Sequence, residues 1–550
     1  MAEKSKERIF VIGLDGGTWN VLKLLMQKGI MPNLEKLTKR GVTGNLKSTI
    51  PPVTAPAWAS FMTGKNPGKH GLFGFLSNKN NSGFWEPVDA TMVKEKTLWE
   101  VISERGKRVA VINVPLTYPP KKVNGIMVTG MLTPRLSRFT YPEDFGKEIN
   151  NKVKQYMIDV IWKNYGYRRK GEEKLIKDLT SMTKKREELV KYVLDKGKWD
   201  FFIVVFIGTD RIQHSLWKYI AGQGCESVNP SSQKYMKLVL EYYKYIDDII
   251  GEIATQLENN TSLYIVSDHG FGALHKKVSL NNWLADIGLL FKRERRTGQK
   301  TLKYFLSKTN FRLKTHRRLL KEMKRFGLDR ILTTNSLKSL GRFSGSIDWT
   351  RTKAFSRFNN DIHINLRGRE ETGIVNYGKE YEYLRDEIID KLSNLTDPSS
   401  GEKIINKVHR REEIYEGNNV NNAPDLMIGD YDERYFLYYG LETESSLIFT
   451  DPGWGSGTHT SEGIFIACGN HIKSGGNIEG AEIIDLFPTF LYQLGLSIPS
   501  DVDGKVLLNI FDDDFIKDNK VKYGKVTEKE NNNFHISKED KKNIIERLKG

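Results

Sequence analysis

Seven side chains in five short stretches of this 550-residue chain could do chemistry together. The first is the hydroxyl of Thr54, in Pro51-Pro52-Val53-Thr54-Ala55-Pro56-Ala57-Trp58. The two leading prolines bias the chain toward extended or turn conformations. Pro56 is tolerated in a first helical turn. A helix starting there places Thr54 near a helix N-terminus, where backbone N–H groups and the helix dipole favour an anion. Such a hydroxyl is either a nucleophile held by a metal or a plain helix cap. Asp15 follows the apolar run 9–14, and Asp268 and His269 follow the run 262–267. Asp210 and His214 follow the run 200–208 and stand four apart, so one helical turn brings them to one face. His459 lies in the glycine-rich stretch 453–463. Mixed oxygen and nitrogen donors of this kind suit zinc, with manganese and iron as alternatives. Each piece alone is common. Their joint placement, every acid at the end of an apolar strand, is not, because α/β active sites lie at the carboxyl ends of such strands.

The elements that must position these groups read as an α/β protein. Continuous apolar runs at 9–14, 108–114, 200–208, 262–267 and 464–468 are the pattern of buried, mainly parallel strands. Residues 41–50 form a further strand leading to Thr54. Helical segments at 18–28, 98–105, 233–258 and 482–494 alternate with them. The expected organisation is a catalytic core over residues 1–290 and 347–511. Residues 142–198 read as a charged helical excursion without a chemical signature. Residues 291–346 are a basic helical insertion or cap, with Lys and Arg crowded among Leu and Phe. It could cover an anionic substrate, meet a membrane surface, or be merely solvated. Residues 512–550 read as a loosely held polar tail.

The formal charge of +17 favours anionic partners, such as phosphorylated small molecules, glycans or lipids. No RNA- or DNA-binding motif accompanies it, so no specific nucleic-acid binding is expected. The two cysteines, Cys225 and Cys468, are far apart, which excludes a disulfide scaffold and suits a reducing compartment. No signal-like segment or span-length apolar run is present in the sequence. The expected location is the cytoplasm, with peripheral membrane contact as the alternative.

In order and combination, Gly13-Leu14-Asp15-Gly16-Gly17, Pro51 to Trp58, Lys65-Asn66-Pro67-Gly68-Lys69-His70-Gly71, Asp210-Arg211-Ile212-Gln213-His214, Ser267-Asp268-His269-Gly270 and Thr458-His459 resemble the alkaline phosphatase superfamily. Within it the chain resembles the type I phosphodiesterase/nucleotide pyrophosphatase family. That resemblance implies an alkaline-phosphatase-like three-layer sandwich, with a mainly parallel sheet flanked by helices. It implies two metals, one on Asp210, His214 and His459 and the other on Asp15, Asp268, His269 and the Thr54 oxygen. It also implies a phosphothreonine intermediate at Thr54, and cleavage of phosphodiester or pyrophosphate bonds. Sulfatases and the superfamily's phosphoglycerate mutases use other residues at position 54. One departure stands out. Nucleotide pyrophosphatases carry a phosphate-contacting Asn shortly after His-Gly, and Phe75 occupies that place here. Asn113, at the end of its own strand, is the candidate substitute. The substrate therefore need not be a nucleotide. A phosphomonoesterase, or a phospho-group transferase acting on a glycan or lipid, is the alternative. A catalytically silent binding protein is disfavoured by the intact seven-residue set.

Overall fold

The computed structural model describes residues 7–549 apart from 79–84, 136, 167–169, 221–229, 294–345, 441–445, 454 and 526–535. The apolar runs form strands of one nine-stranded sheet. In chain order these are β1 (Arg8–Leu14), β2 (Val42–Lys47), β3 (Val109–Ile112), β4 (Gly125–Val128), β5 (Thr140–Tyr141), β6 (Phe201–Phe206) and β7 (Thr261–Val266). After a separate two-stranded ladder of β8 (Gly270–Ala273) and β9 (Gly457–Thr460), β10 (Glu462–Gly469) and β11 (Gly476–Glu482) complete the sheet. The strand order is β11-β2-β10-β7-β1-β6-β3-β4-β5. The central run β7-β1-β6-β3-β4 is parallel, and β10 is antiparallel to both its neighbours.

Both faces of the central strands β1, β3, β6 and β7 are buried, which is why these strands are apolar at nearly every position, whereas the outer β2 and β11 are partly polar. Successive side chains still alternate. Phe201, Ile203 and Val205 enter one core and Phe202, Val204 and Phe206 the other. The first core is closed by α1 (Thr54–Thr63) and α5 (Leu486–Gln493). The second is closed by α2 (Gly171–Asp195), α3 (Gly208–Ile220) and α4 (Pro230–Gln256). Three layers result, as expected. Each fully buried large apolar side chain contributes roughly 1.5–3 kcal/mol.

Register sets the site. Leu14 pairs with Phe206, and Gly13 with Val266. These strands therefore end flush, and Asp15, α3 and Asp268 emerge side by side. Strand β10 runs the opposite way, so the chain just before it, including His459, lies at this same edge. Strand β2 is antiparallel to β10 in turn, so its end leads to Thr54 at that edge too.

Several expectations need correction. The segment 142–198 is not an excursion: α2 buries Leu175, Leu179, Leu189 and Val193 in the second core. The predicted core is not one unit after residue 347. A four-stranded sheet of Ala354–Phe355, Asp361–Ile364, Leu426–Tyr431 and Ile405–Arg410, with the helix Lys379–Ser393, builds its own apolar cluster. The basic stretch within 291–346 lies largely outside the described residues. Its flanks pair, Lys292 with Ile347, so the chain departs and returns at one point. The tail is not loose where it is described. Phe515 is buried, Tyr523–Gly524 pairs with Ile498–Pro499, and α6 (Lys538–Lys549) buries Ile544 and Ile545. A few apolar residues on one helical face dock a segment whose composition is otherwise polar. No helix among the described residues is long and apolar enough to cross a membrane.

The turn after α1 is pinned by His70, which is fully buried. Its Nδ1 accepts from the Leu72 N–H (3.3 Å), so the ring proton sits on Nε2, 3.0 Å from Ser60 Oγ. Burial lowers its pKa from 6.5 to about 3. Between those values only the unfolded chain takes up the proton, so stability present above pH 6.5 is lost as pH falls. The contribution is about 1.4 kcal/mol per pH unit. Unfolding free energy measured by denaturant titration should therefore drop about 2 kcal/mol more between pH 6.5 and about 5 in the parent than in His70→Gln. Equal slopes would refute the buried neutral imidazole.

Candidate active site

The edge gathers all seven predicted donors. Asp15, Asp210, Asp268 and His269 are fully buried. His214 and His459 keep 19% side-chain exposure, which marks the side from which solvent and substrate reach the cluster. One group is Asp210 Oδ1, His214 Nε2 and His459 Nε2, with separations of 3.3, 3.1 and 2.9 Å. The other centres on His269 Nε2, which lies 3.2 Å from Asp268 Oδ2, 3.3 Å from Thr54 Oγ1 and 3.9 Å from Asp15 Oδ1. The His269 and His459 rings stack at 3.6 Å between centroids and join the groups.

Each carboxylate is divided between two tasks. Asp15 Oδ2 accepts from Trp58 Nε1 (3.0 Å), Asp268 Oδ1 from the Gly16 N–H (3.2 Å), and Asp210 Oδ2 from Arg211 Nη1 (2.6 Å). The second oxygen of each faces the cluster. Asp15 Oδ1 and Asp268 Oδ2 are buried there without any hydrogen-bond partner. An orphaned buried acceptor costs about 1–3 kcal/mol. The histidines are oriented the same way. His459 Nδ1 lies 3.0 Å from the Pro52 carbonyl and His269 Nδ1 3.1 Å from that of Gly270. Both therefore donate through Nδ1–H and turn the Nε2 lone pair to the cluster, the arrangement of metal-ligating histidine. Asp210, His269 and His459, and likewise Asp15, Asp268 and His269, bring their ligand atoms close enough together to hold a cation, with His269 common to both sets.

The charges agree. Burial, Asp268 and Asp210 raise Asp15, and burial pushes Asp268 up to about 7. Burial depresses His269 and His214, keeping both imidazoles neutral. For Asp210, burial acts upward, but the charge of Arg211 helps to hold the carboxyl well below its usual range. Packed acids and neutral imidazoles with inward lone pairs are a donor set that divalent cations fit.

Local sequence explains the geometry. Gly16 has φ +67°, and a Cβ there would meet the Phe271 ring at 2.8 Å, so glycine alone lets this N–H reach Asp268. A Cβ on Gly13 would strike Trp58 at 2.8 Å, so that glycine makes room for the indole that holds Asp15. Thr54 is not a cap. The N-cap is Val53, and Thr54 is the first residue of a helix buried along its whole length.

The structure also corrects the reading of individual residues. His459 lies in strand β9, paired with Phe271, rather than in a glycine loop. Asn113 is no substitute phosphate contact. Its Nδ2 donates to the Thr129 carbonyl, and its Oδ1 accepts from Arg186 Nε and Tyr156. Phe75 packs edge-on against Phe358, and its neighbours Phe73, Gly74 and Leu76 line a cavity of about 190 Å³ with Trp85 and His363. Sequence reasoning missed Arg211, whose Nη2 also binds Asp159 (2.9 Å), and Trp162, stacked on His214 at 4.7 Å. Both Asp159 and Trp162 come from the segment that showed no chemical pattern.

Residues 9–462 match the family model for type I phosphodiesterase/nucleotide pyrophosphatase. The chain belongs to that family. It is a hydrolase with the alkaline-phosphatase-like fold. Phosphonoacetate hydrolase from Sinorhizobium meliloti 1021, in complex with phosphonoformate, superposes with TM-score 0.51 at 14% identity, over 89% of this chain and 95% of that one. Murine ectonucleotide pyrophosphatase/phosphodiesterase 5, an inactive variant in complex with AMP, gives TM-score 0.50 at 12% identity, over 92% and 100%. At these identities the likeness concerns the fold. No curated protein matches the sequence.

Reconstituted protein should bind close to two divalent ions per chain by elemental analysis, and chelation should lower its melting temperature. Asp268→Ala and His459→Ala should each lose about one ion, because they lie in different donor sets. A chain that takes up none would overturn this reading of the orphaned oxygens.

Proposed function

We propose that this protein is a two-metal phosphohydrolase that cleaves a phosphodiester or pyrophosphate bond through a phosphothreonine at Thr54. The observation that carries the proposal is the Thr54 hydroxyl, 3% exposed, free of any capping role and 3.3 Å from His269 Nε2 within the donor cluster. Asp210, His214 and His459 would hold one cation; Asp15, Asp268, His269 and Thr54 would hold the other. Zinc is the expected metal, with manganese and iron as alternatives. When bound, the two cations neutralise phosphoryl oxygens and make a weakly acidic hydroxyl available as a nucleophile.

The chain's own residues do the rest. The N-terminus of α1 presents its unsatisfied N–H groups and dipole to the phosphoryl group. Helical geometry and full burial fix Thr54 in one place, so attack begins from a pre-set orientation. Thr54 Oγ releases its proton and bonds to phosphorus as the leaving oxygen departs with the electron pair and takes up a proton. A water then bonds to phosphorus, the Thr54 Oγ–P bond breaks, and the hydroxyl recovers its proton. Carbonyl contacts at Nδ1 keep His459 and His269 in a single tautomer throughout. A monoesterase or a transferase to a glycan or lipid alcohol would share the first half of this sequence. Phe75, at the place of the nucleotide-binding Asn, is the residue that favours that second reading.

Bis(p-nitrophenyl) phosphate should be hydrolysed faster than p-nitrophenyl phosphate, and a tenfold preference for the monoester would select the second reading. Thr54→Ala should lose about three orders of magnitude in kcat, some 4 kcal/mol of transition-state stabilisation. It should keep its metal, because the other six donors remain. Thr54→Ser should retain part of the activity. Rapid acid quench with labelled diester should recover phosphate on the Thr54 peptide. Near-normal turnover in Thr54→Ala would eliminate the mechanism.

A further inference from the structure

The segment 156–165 brings two side chains onto the Asp210 side of the site. Asp159 meets Arg211 in a two-pronged pair: Oδ1 accepts from Arg211 Nε (3.2 Å) and Oδ2 from Arg211 Nη2 (2.9 Å). Arg211 Nη1 in turn donates to Asp210 Oδ2 (2.6 Å). None of the three side chains is more than 9% exposed. Trp162 lies flat on His214, with ring centroids 4.7 Å apart and planes 3° from parallel. Helix α2 fixes the segment at two points. Arg186 Nη2 donates to the Ile158 carbonyl (2.7 Å) and Tyr165 OH to Asp178 Oδ2 (2.6 Å). Arg186 Nη1 also donates to the Val205 carbonyl (2.9 Å) in β6, the strand that leads to Asp210. These contacts act on one donor group and not on the other. Asp210 is the only carboxylate of its group, and the Arg211 guanidinium cancels its charge. The other group has two carboxylates, and the partners that hold them, Trp58 and the Gly16 N–H, are neutral. A cation on Asp210 would therefore face a buried guanidinium across one carboxylate, and like charges repel strongly where water is scarce. Asp159 offsets that guanidinium. Orientation differs too. His459 and His269 are turned by carbonyls at Nδ1. His214 makes no such contact among the described residues. Its ring is held by aromatic groups instead, Trp162 flat against it and Phe271 edge-on at 4.8 Å.

We propose that Asp159 and Trp162 are positioning residues for one of the two cations: Asp159 keeps the Asp210 side anionic by neutralising Arg211, and Trp162 sets the plane of His214. Loss of either weakens the cation on Asp210, His214 and His459 and spares the one on Asp15, Asp268, His269 and Thr54. The proposal rests on the reading that the cluster holds two cations.

The test is calorimetric titration of the full-length protein, stripped of metal by chelation, with Co²⁺, read in parallel by the visible absorption of the bound cobalt. Asp268→Ala confines binding to the Asp210 group, and His459→Ala confines it to the other. In the Asp268→Ala background, adding Asp159→Asn or Trp162→Leu should weaken Co²⁺ binding about 10–100-fold, the usual effect of losing a group that orients a metal ligand. Trp162→Leu should also shift the cobalt absorption bands, and Trp162→Phe, which keeps a ring on His214, should recover part of the affinity. In the His459→Ala background each added substitution should leave the affinity within about twofold of its starting value. Undiminished affinity in the Asp268→Ala background overturns the proposal. Equal losses in both backgrounds also overturn it, because they are the mark of a general structural role. If Asp159→Asn melts early, Trp162→Leu and Trp162→Phe decide, and unchanged binding in both overturns it. A parent that takes up no Co²⁺ would strike the two-cation reading itself. A parent that binds two ions, with binding unaltered in Asp159→Asn and Trp162→Leu, would strike only the present inference.

Discussion

Three carboxylates converge in a space from which water is largely excluded, and the rest of the site follows from that. Asp15, Asp210 and Asp268 repel one another, and burial denies them the solvation that would offset it. The protein meets half of each debt itself, through Trp58, Gly16 and Arg211. It leaves the other half open toward His214, His269 and His459. Two of those histidines, His214 and His269, do not relieve the acids by protonation, because burial keeps them neutral. Their lone pairs add to the surplus of acceptors. A fold that built this arrangement only for stability would be better served by apolar residues. It is instead a donor set that divalent cations fit, and a cation held there would couple its binding to folding.

Topology makes the cluster possible. Parallel neighbours β7, β1 and β6 deliver residues to one edge only at their carboxyl ends. That accounts for Asp268, Asp15 and Asp210. A fourth element far along the chain can join them only from a strand that runs the other way. Antiparallel β10 does this, and the β8–β9 ladder aims the result, setting His459 opposite Phe271 and over His269. The reversal at β10 thus carries a chemical function. Reversal is also what returns β2 to parallel alignment with β7 and sends the Pro51-Pro52 turn to the same edge.

The strand ends were legible because a two-sided buried strand is written as an unbroken apolar run, and the residue that ends the run is the residue at the edge. Asp15, Asp210 and Asp268 could be read that way, and the i, i+4 spacing of Asp210 and His214 holds in α3. His459 was placed at the right edge but in the wrong element, since glycines on either side of a short strand look like a loop. Asn113 looked available because nothing in sequence shows that Arg186, Tyr156 and Thr129 surround it. Arg211 and Trp162 were invisible for a related reason. Their roles depend on which way a side chain turns at a helix start and in an irregular segment, and neither leaves a periodic trace. The lobe built around residues 354–431 was hidden because its strands are short and partly polar, as in Ile405–Arg410, and its separate sheet shows only in their pairing.

The tail shows the limit most sharply. Residues 538–549 are mostly charged, and composition alone places them in solvent. Docking depends on Ile544, Ile545 and Leu548 sharing a face and on Asp540 finding Ser137 and Tyr118 more than four hundred residues earlier in the chain. The same charge that makes a segment look disordered is then part of what holds it in place. Asp540 and Lys541 are part of that charge, and they tie the helix to Ser137, Tyr118 and Glu86.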